Sequence, residues 1–184
     1  MTNKKNTFIS LISVLLLFSA CSLSEDKYLN QAREIHTRIL TLDSHTDTPL
    51  MFGREGFDLG KWNDPHQGGG KVDFPRMEQG GLDAAFFAVF LGQGEDSPQG
   101  YEAARLRANN TFNQIYQVIE QNNDKAGLAL TPEDAYRLKN EGMRAIFIGL
   151  ENAYPIGDEL SMAKVYFDMG ARYITLCHTR NNHI

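Results

Sequence analysis

Three ionisable side chains stand two residues apart in the stretch Leu40-Thr-Leu-Asp-Ser-His-Thr-Asp-Thr-Pro49: Asp43, His45 and Asp47. The apolar lead-in reads as a β-strand, and in a strand residues i, i+2 and i+4 point to one face. One imidazole and two carboxylates would then converge where the strand ends. Such a cluster is costly to bury without a cation or full hydrogen bonding, and imidazole nitrogen with carboxylate oxygen is a donor set that suits zinc. The triplet alone fits ordinary surface polarity equally well, so the rest of the chain has to supply the weight.

Two further residues stand at comparable places. Glu151 directly follows the apolar run Ile146-Phe-Ile-Gly-Leu150, and His178 directly follows Ile174-Thr-Leu-Cys177. Taken singly, Glu151 also reads as a helix-capping acid and His178 as a core histidine. The elements that would carry them alternate. A helical pattern over Tyr28 to Leu40 leads into a first strand around Ile39 to Asp43, and Leu82 to Leu91 is apolar enough for a strand covered on both faces. Tyr101 to Gln121 reads as a long amphipathic helix. Thr131-Pro132-Glu133-Asp134 has a cap, a first-position proline and first-turn acids for a helix running to about Asn140, with Gly142 just past its end. Ala145 to Leu150 predicts a third strand, Asp158 to Met169 a helix closed by Gly170, and Arg172 to Cys177 another strand. Repeated β/α alternation implies a parallel sheet, doubly wound or closed as a (β/α)8 TIM-type barrel. Site residues at the C-terminal ends of several strands favour the barrel. Gly68-Gly69-Gly70 has no following helix and is expected to be a flexible linker, not a phosphate cradle. Asp73 and Arg76 are placed for a structural ion pair. Cys177, beside His178 within a strand, would face away from it, and a buried thiol is expected there. His36 is assigned to the helix surface, His66 to a solvated loop and His183 to a frayed end.

The N-terminus carries Lys4 and Lys5 before an apolar run from Phe8 to Phe18, which is too short to span a bilayer and has the layout of an export signal. The run ends in Leu17-Phe18-Ser19-Ala20-Cys21, similar to a bacterial lipoprotein processing box. The expected organisation is therefore a signal peptide over residues 1–20, a lipidated Cys21 opening a tether over 21–27, and a barrel-forming segment over 28–184. This places the protein in the bacterial cell envelope, held at the membrane by an N-terminal lipid anchor. The only other cysteine is Cys177, so an acylated Cys21 leaves no intramolecular disulfide. The formal charge is −5 before Lys4 and Lys5 are removed and more negative afterwards, which disfavours a nucleic-acid partner.

Leu42-Asp-Ser-His-Thr-Asp47, Gly70 to Val89, Gly149-Leu-Glu-Asn152 and Gly170-Ala-Arg-Tyr-Ile-Thr-Leu-Cys-His178 together resemble the membrane dipeptidase (renal dipeptidase) family in order and spacing. The resemblance implies a zinc-dependent dipeptidase on a (β/α)8 barrel, in which two zinc ions activate a shared water to hydrolyse dipeptides. It implies that His45 and Asp47 bind the first zinc, that Glu151 bridges both, and that His178 contacts the dipeptide substrate and its developing oxyanion. Asp43 would orient a ligand or nearby backbone. It also implies a longer chain, because family members continue well past the equivalent of His178 and carry further metal ligands there. The expectation is thus about the first half of the barrel, a second zinc short of ligands, and a truncated chain inactive by itself. The alternative is a non-catalytic lipoprotein remnant that binds peptide or metal. A homo-oligomer is compatible with either.

Overall fold

The computed structural model describes residues 27–184; the expected signal peptide over residues 1–20, Cys21 and all of the expected tether but Lys27 lie outside the described residues. Helix α1 (residues 27–38) belongs to a unit that ends at Ile39 and is exposed along its length. Residues 40–184 form the second unit.

The order of that second unit comes from one apolar strand. Arg144-Ala-Ile-Phe-Ile-Gly-Leu-Glu151 has no interior charge and is buried from Ala145 to Leu150, as a strand covered on both faces must be. For reference it is β4, after β1 (Leu42–Thr46), β2 (Ala84–Phe90) and β3 (Ala126–Leu128), and before β5 (Ala171–Ile174). β2 runs parallel to β4 along its whole length, from Ala84 opposite Ala145 to Phe90 opposite Glu151. β1 pairs with the far side of β2. β3 and β5 both pair with β4, β3 beside Arg144 to Ile146 and β5 beside Ile148 to Leu150.

The expected (β/α)8 barrel, of which the chain would form about the first half, is corrected by this topology. The described residues form an open α/β sheet of five parallel strands, with no eight-stranded barrel. Among these residues β1 pairs with β2 alone and β5 with β4 alone, so the strands at the two margins never meet. Closure requires each strand to be flanked on both sides. Alternating β/α elements and polar residues at strand ends occur equally in open sheets, which is why the pattern did not discriminate. The first strand also lies later than expected, carrying His45 inside it, and the last ends at Ile174, earlier than expected.

Alternation along β2 and β4 creates two unlike faces. Ala85, Phe87 and Val89 with Ile146, Ile148 and Leu150 pack in the main core, where α3 (Pro98–Gln121) adds Ala108, Phe112, Ile115 and Ile119. Their three- and four-residue spacing is one helix face. The other face carries Phe86, Phe147 and Tyr173. The Phe86 ring centroid lies 4.8 Å from that of Phe147 and 5.1 Å from that of Tyr173. Helix starts follow the sequence signals. Ser97 caps α3 and Thr131 forms a capping box with Asp134 on α4 (Pro132–Asn140). Asp73 caps α2 (Phe74–Gly80) while its Oδ2 accepts from Arg76 Nε at 2.8 Å, the expected structural ion pair. The remaining helix, α5 (Ser161–Asp168), starts three residues later than expected and precedes Gly170, whose φ is 94°.

The N-terminal ends of the strands are tied through Asp83. Its Oδ2 accepts from Thr41 N at 2.9 Å and from Lys139 Nζ at 2.7 Å, while its own N–H donates to Thr41 Oγ1 at 2.8 Å. Burial opposes ionisation of this carboxyl, but the Lys139 ammonium and the Thr41 donors outweigh it and hold the pKa below the usual value. The stability derived from the ionised group is complete above the ordinary carboxyl range near pH 4 and is lost as pH falls through the depressed folded value. Asp83→Asn is expected to lower unfolding stability at neutral pH by about 1–3 kcal/mol. Urea unfolding at several pH values checks this, and the gap between the two proteins should narrow in acid. A gap that is constant with pH would remove the ionised carboxylate from the account.

Candidate metal centre

Parallel strands deliver their C-terminal ends to one side of the sheet, and the polar residues gather there. β1 presents His45 and, one residue past its end, Asp47; β4 ends at Glu151. One ligand atom from each of these three residues lies within 4.8 Å of the other two. His45 Nε2 is 3.2 Å from Glu151 Oε2 and 3.6 Å from Asp47 Oδ1. Tetrahedral zinc with bonds near 2.0–2.1 Å places neighbouring ligand atoms about 3.3 Å apart, so this spacing fits one ion. A second observation supports the fit. The Glu151 side chain is only 13% exposed, and its Oε2 is buried without a hydrogen-bond donor. A carboxylate oxygen in that condition costs free energy unless a cation faces it.

His178 approaches the other oxygen of the same carboxylate, with Nε2 3.5 Å from Glu151 Oε1 and its ring edge-on to Phe90 at 5.0 Å. It is not one of the three clustered ligands. Asp43 Oδ1 accepts the His45 backbone N–H at 3.0 Å, the orienting role expected of it.

Two residues were given no role from sequence. Tyr173, on β5, lies with its hydroxyl 2.7 Å from His45 Nδ1. Burial first, then the nearby carboxylates of Glu151, Asp47 and Asp43, push its pKa up to about 12, so it is a neutral phenol. Strand alternation could have found it, since Tyr173 stands opposite Gly149 on the face that carries Glu151. Asn152 follows Glu151 with φ 76°, the one described non-glycine residue in the left-handed region. Its buried amide donates to Leu91 O at 2.8 Å, while its Oδ1 accepts from Tyr154 N at 3.2 Å and Asn182 Nδ2 at 3.0 Å. Asparagine tolerates this backbone better than most residues. The turn therefore joins the ends of β2 and β4 to the segment after β5, with Glu151 as its first residue.

The remaining sequence expectations divide. His36 is exposed on α1, and His66 is exposed with its backbone N–H held by Asp64. Cys177 is exposed, not buried, because β5 ends before it and no layer covers residues 176–178. His183 is anchored rather than frayed, its Nε2 lying 2.7 Å from Asp158 Oδ1. Gly68 caps a short 3-10 turn over Pro65–Gln67. Among the described residues no helix is long and apolar enough to cross a membrane.

Comparison with known proteins places these residues in a wider group. Residues 29–184 match the model of the family described as membrane dipeptidase (peptidase family M19). Dipeptidase ataJ of Aspergillus terreus is 26% identical over 167 residues, which cover 87% of this chain and 40% of that relative. Dipeptidase tcpJ of Claviceps purpurea is 31% identical over 119 residues, covering 61% of this chain and 28% of that relative. Among solved structures, the probable dipeptidase PvdM from Pseudomonas aeruginosa superposes with a TM-score of 0.73 at 30% identity, over 85% of this chain and 39% of that one. The chain thus spans less than half the length of these relatives.

The turn at Asn152 carries its own test. Asn152→Gly keeps the backbone conformation and loses the side-chain hydrogen bonds, and is expected to cost about 1–3 kcal/mol of stability. Asn152→Ala loses the same bonds and adds left-handed strain, for about 1 kcal/mol more. Chemical unfolding of both variants measures the difference. An alanine variant as stable as the glycine variant would show that the positive φ imposes no constraint.

Proposed function

The chain belongs to the membrane dipeptidase family, and from that membership we propose that it carries the His-Asp-Glu part of a zinc-dependent dipeptidase site. The observation that carries the reading is the convergence of His45 Nε2, Asp47 and Glu151 Oε2 within 4.8 Å, with the Glu151 oxygen buried and without a donor. His45, Asp47 and Glu151 would hold one zinc ion. Glu151 faces His45 with Oε2 and His178 with Oε1, and family membership supports reading it as the carboxylate that would be shared with a second ion. Among the described residues no second ligand group of three converges. Zinc supplies Lewis-acid polarisation of a carbonyl and lowers the pKa of water towards neutrality.

The chain's own residues do the rest. Glu151 concentrates negative charge at the end of β4, and buried Phe147 stacks with half-buried Phe86 on the same face of the sheet. His178 stands against Phe90 at the rim, where its Nε2–H can donate to a carbonyl oxygen that gains charge during attack. A donor in such a position contributes about 2.7–4 kcal/mol to the transition state. Asp43 holds the His45 backbone in register with the site.

Metal analysis separates these roles. The protein is expected to bind at most one equivalent of zinc, weakly, through the one cluster. Glu151→Gln should abolish that binding and His178→Ala should retain it, and in a version completed to full length His178→Ala should lower dipeptide hydrolysis by about 10²–10³-fold. Equal zinc loss in both variants would make His178 a ligand. Zinc binding without release of amino acids from any dipeptide would leave a metal- or peptide-binding protein in place of an enzyme.

Export and lipid attachment at Cys21 form a separate part of the proposal, drawn from the Phe8 to Cys21 sequence. Cys21→Ala is expected to move the protein out of the detergent-soluble membrane fraction and to abolish lipid labelling. Unchanged labelling would remove the anchor from the account.

A further inference from the structure

The proposed roles of His45, Asp47, Glu151 and His178 leave unused a side chain that touches His45 on its far nitrogen. Tyr173 Oη lies 2.7 Å from His45 Nδ1, and the two rings are nearly parallel with centroids 6.2 Å apart. The Tyr173 ring is fixed from two other sides. Phe86 packs against it at 5.1 Å, and Gly149 opens the space it occupies. A Cβ at Gly149 would stand 2.1 Å from the ring Cζ, so alanine there must displace the ring. Gly149 and Tyr173 are direct partners in the β4–β5 ladder, which makes the gap and the ring a matched pair. β1 thus supplies the imidazole, β5 its partner and β4 the room for that partner.

We infer that Tyr173 is a positioning residue for His45, fixing the ring's orientation so that Nε2 faces the site and is free to take a metal ion. The inference rests on the metal-site reading above and deepens it. An imidazole that ligates through Nε2 carries its remaining proton on Nδ1, and that N–H needs an acceptor. Tyr173 Oη is in place as one. A hydroxyl also donates, which a carboxylate in the same place would not do, so it can serve either tautomer. Without an ion, Nδ1 can accept from the Tyr173 hydroxyl with the ring in the same place. When Nε2 becomes a ligand, the proton sits on Nδ1 and the direction of the Tyr173 bond reverses. The ring need not turn. Holding it matters because the His45 side chain is 37% exposed and β1 leaves it little packing of its own.

Tyr173→Phe keeps the ring and its stack on Phe86 and removes the oxygen alone. Cobalt(II) is the probe, with affinity measured by chelator competition and coordination read from its visible absorption. Loss of the hydroxyl is expected to weaken cobalt binding by about 10-fold or more and to alter the absorption band, with the unfolding midpoint nearly unmoved. Gly149→Ala, where it folds, should reproduce the Tyr173→Phe loss. Wild-type affinity and spectrum in Tyr173→Phe would overturn the inference while leaving the metal site standing. No cobalt binding by the wild-type protein would overturn the metal site, and this inference with it.

Discussion

The parallel ladder between β2 and β4 is the constraint on which the site depends. Because the two strands stay in register from Ala84 and Ala145 to Phe90 and Glu151, the end of one is fixed against the end of the other. Within the sheet, β1 pairs with β2 and β5 with β4. His45 and Glu151 come from strands that do not pair with each other, yet their ligand atoms stand 3.2 Å apart. That distance is held by the intervening strand. A slip of one residue in the ladder would send Glu151 to the core face, since alternate residues point to opposite sides. The apolar residues of β4 therefore specify the site's geometry as much as its ligands do.

The two ends of the sheet treat carboxylates differently. At the N-terminal ends Asp83 is almost covered, and its charge is met by Lys139 and by Thr41 donors. At the C-terminal ends Glu151 is similarly enclosed but keeps one oxygen without a donor. The first arrangement contributes to stability, because the buried charge is compensated within the fold. The second costs stability, and the cost persists only because the ladder and the Asn152 turn determine where the side chain lies. A cation supplied from outside is what such an oxygen lacks. Stability and binding are thus concentrated at opposite ends of the same strands.

How much of this was legible in the sequence follows from which signals are local. The polar spacing within Leu40 to Asp47 marked out His45 and Asp47, and the apolar run before Glu151 gave its strand almost to the residue. Thr131 and Pro132 fixed a helix start because caps depend on immediate neighbours. Closure of the sheet was not legible, since it depends on whether the outermost strands find partners, and no short pattern encodes that. Cys177 was misplaced for a related reason. Its burial depended on where β5 stopped, and strand ends are set by pairing with β4 more than by the strand's own residues.

Gly149, Glu151 and Asn152 show how closely support and chemistry can be packed. Alternate positions on a strand share a face, so a glycine two residues before a ligand leaves a gap directly beside that ligand's side chain. Here the gap is filled from the neighbouring strand by Tyr173, whose ring would collide with any Cβ at Gly149. The residue after the ligand must turn sharply, and Asn152 does so with its amide bonded to three separate segments. The strand supplies direction, the glycine admits a partner for the opposing histidine, and the asparagine turns the backbone directly after the carboxylate. None of these supports ligates by itself, yet each limits a different motion of the groups that would.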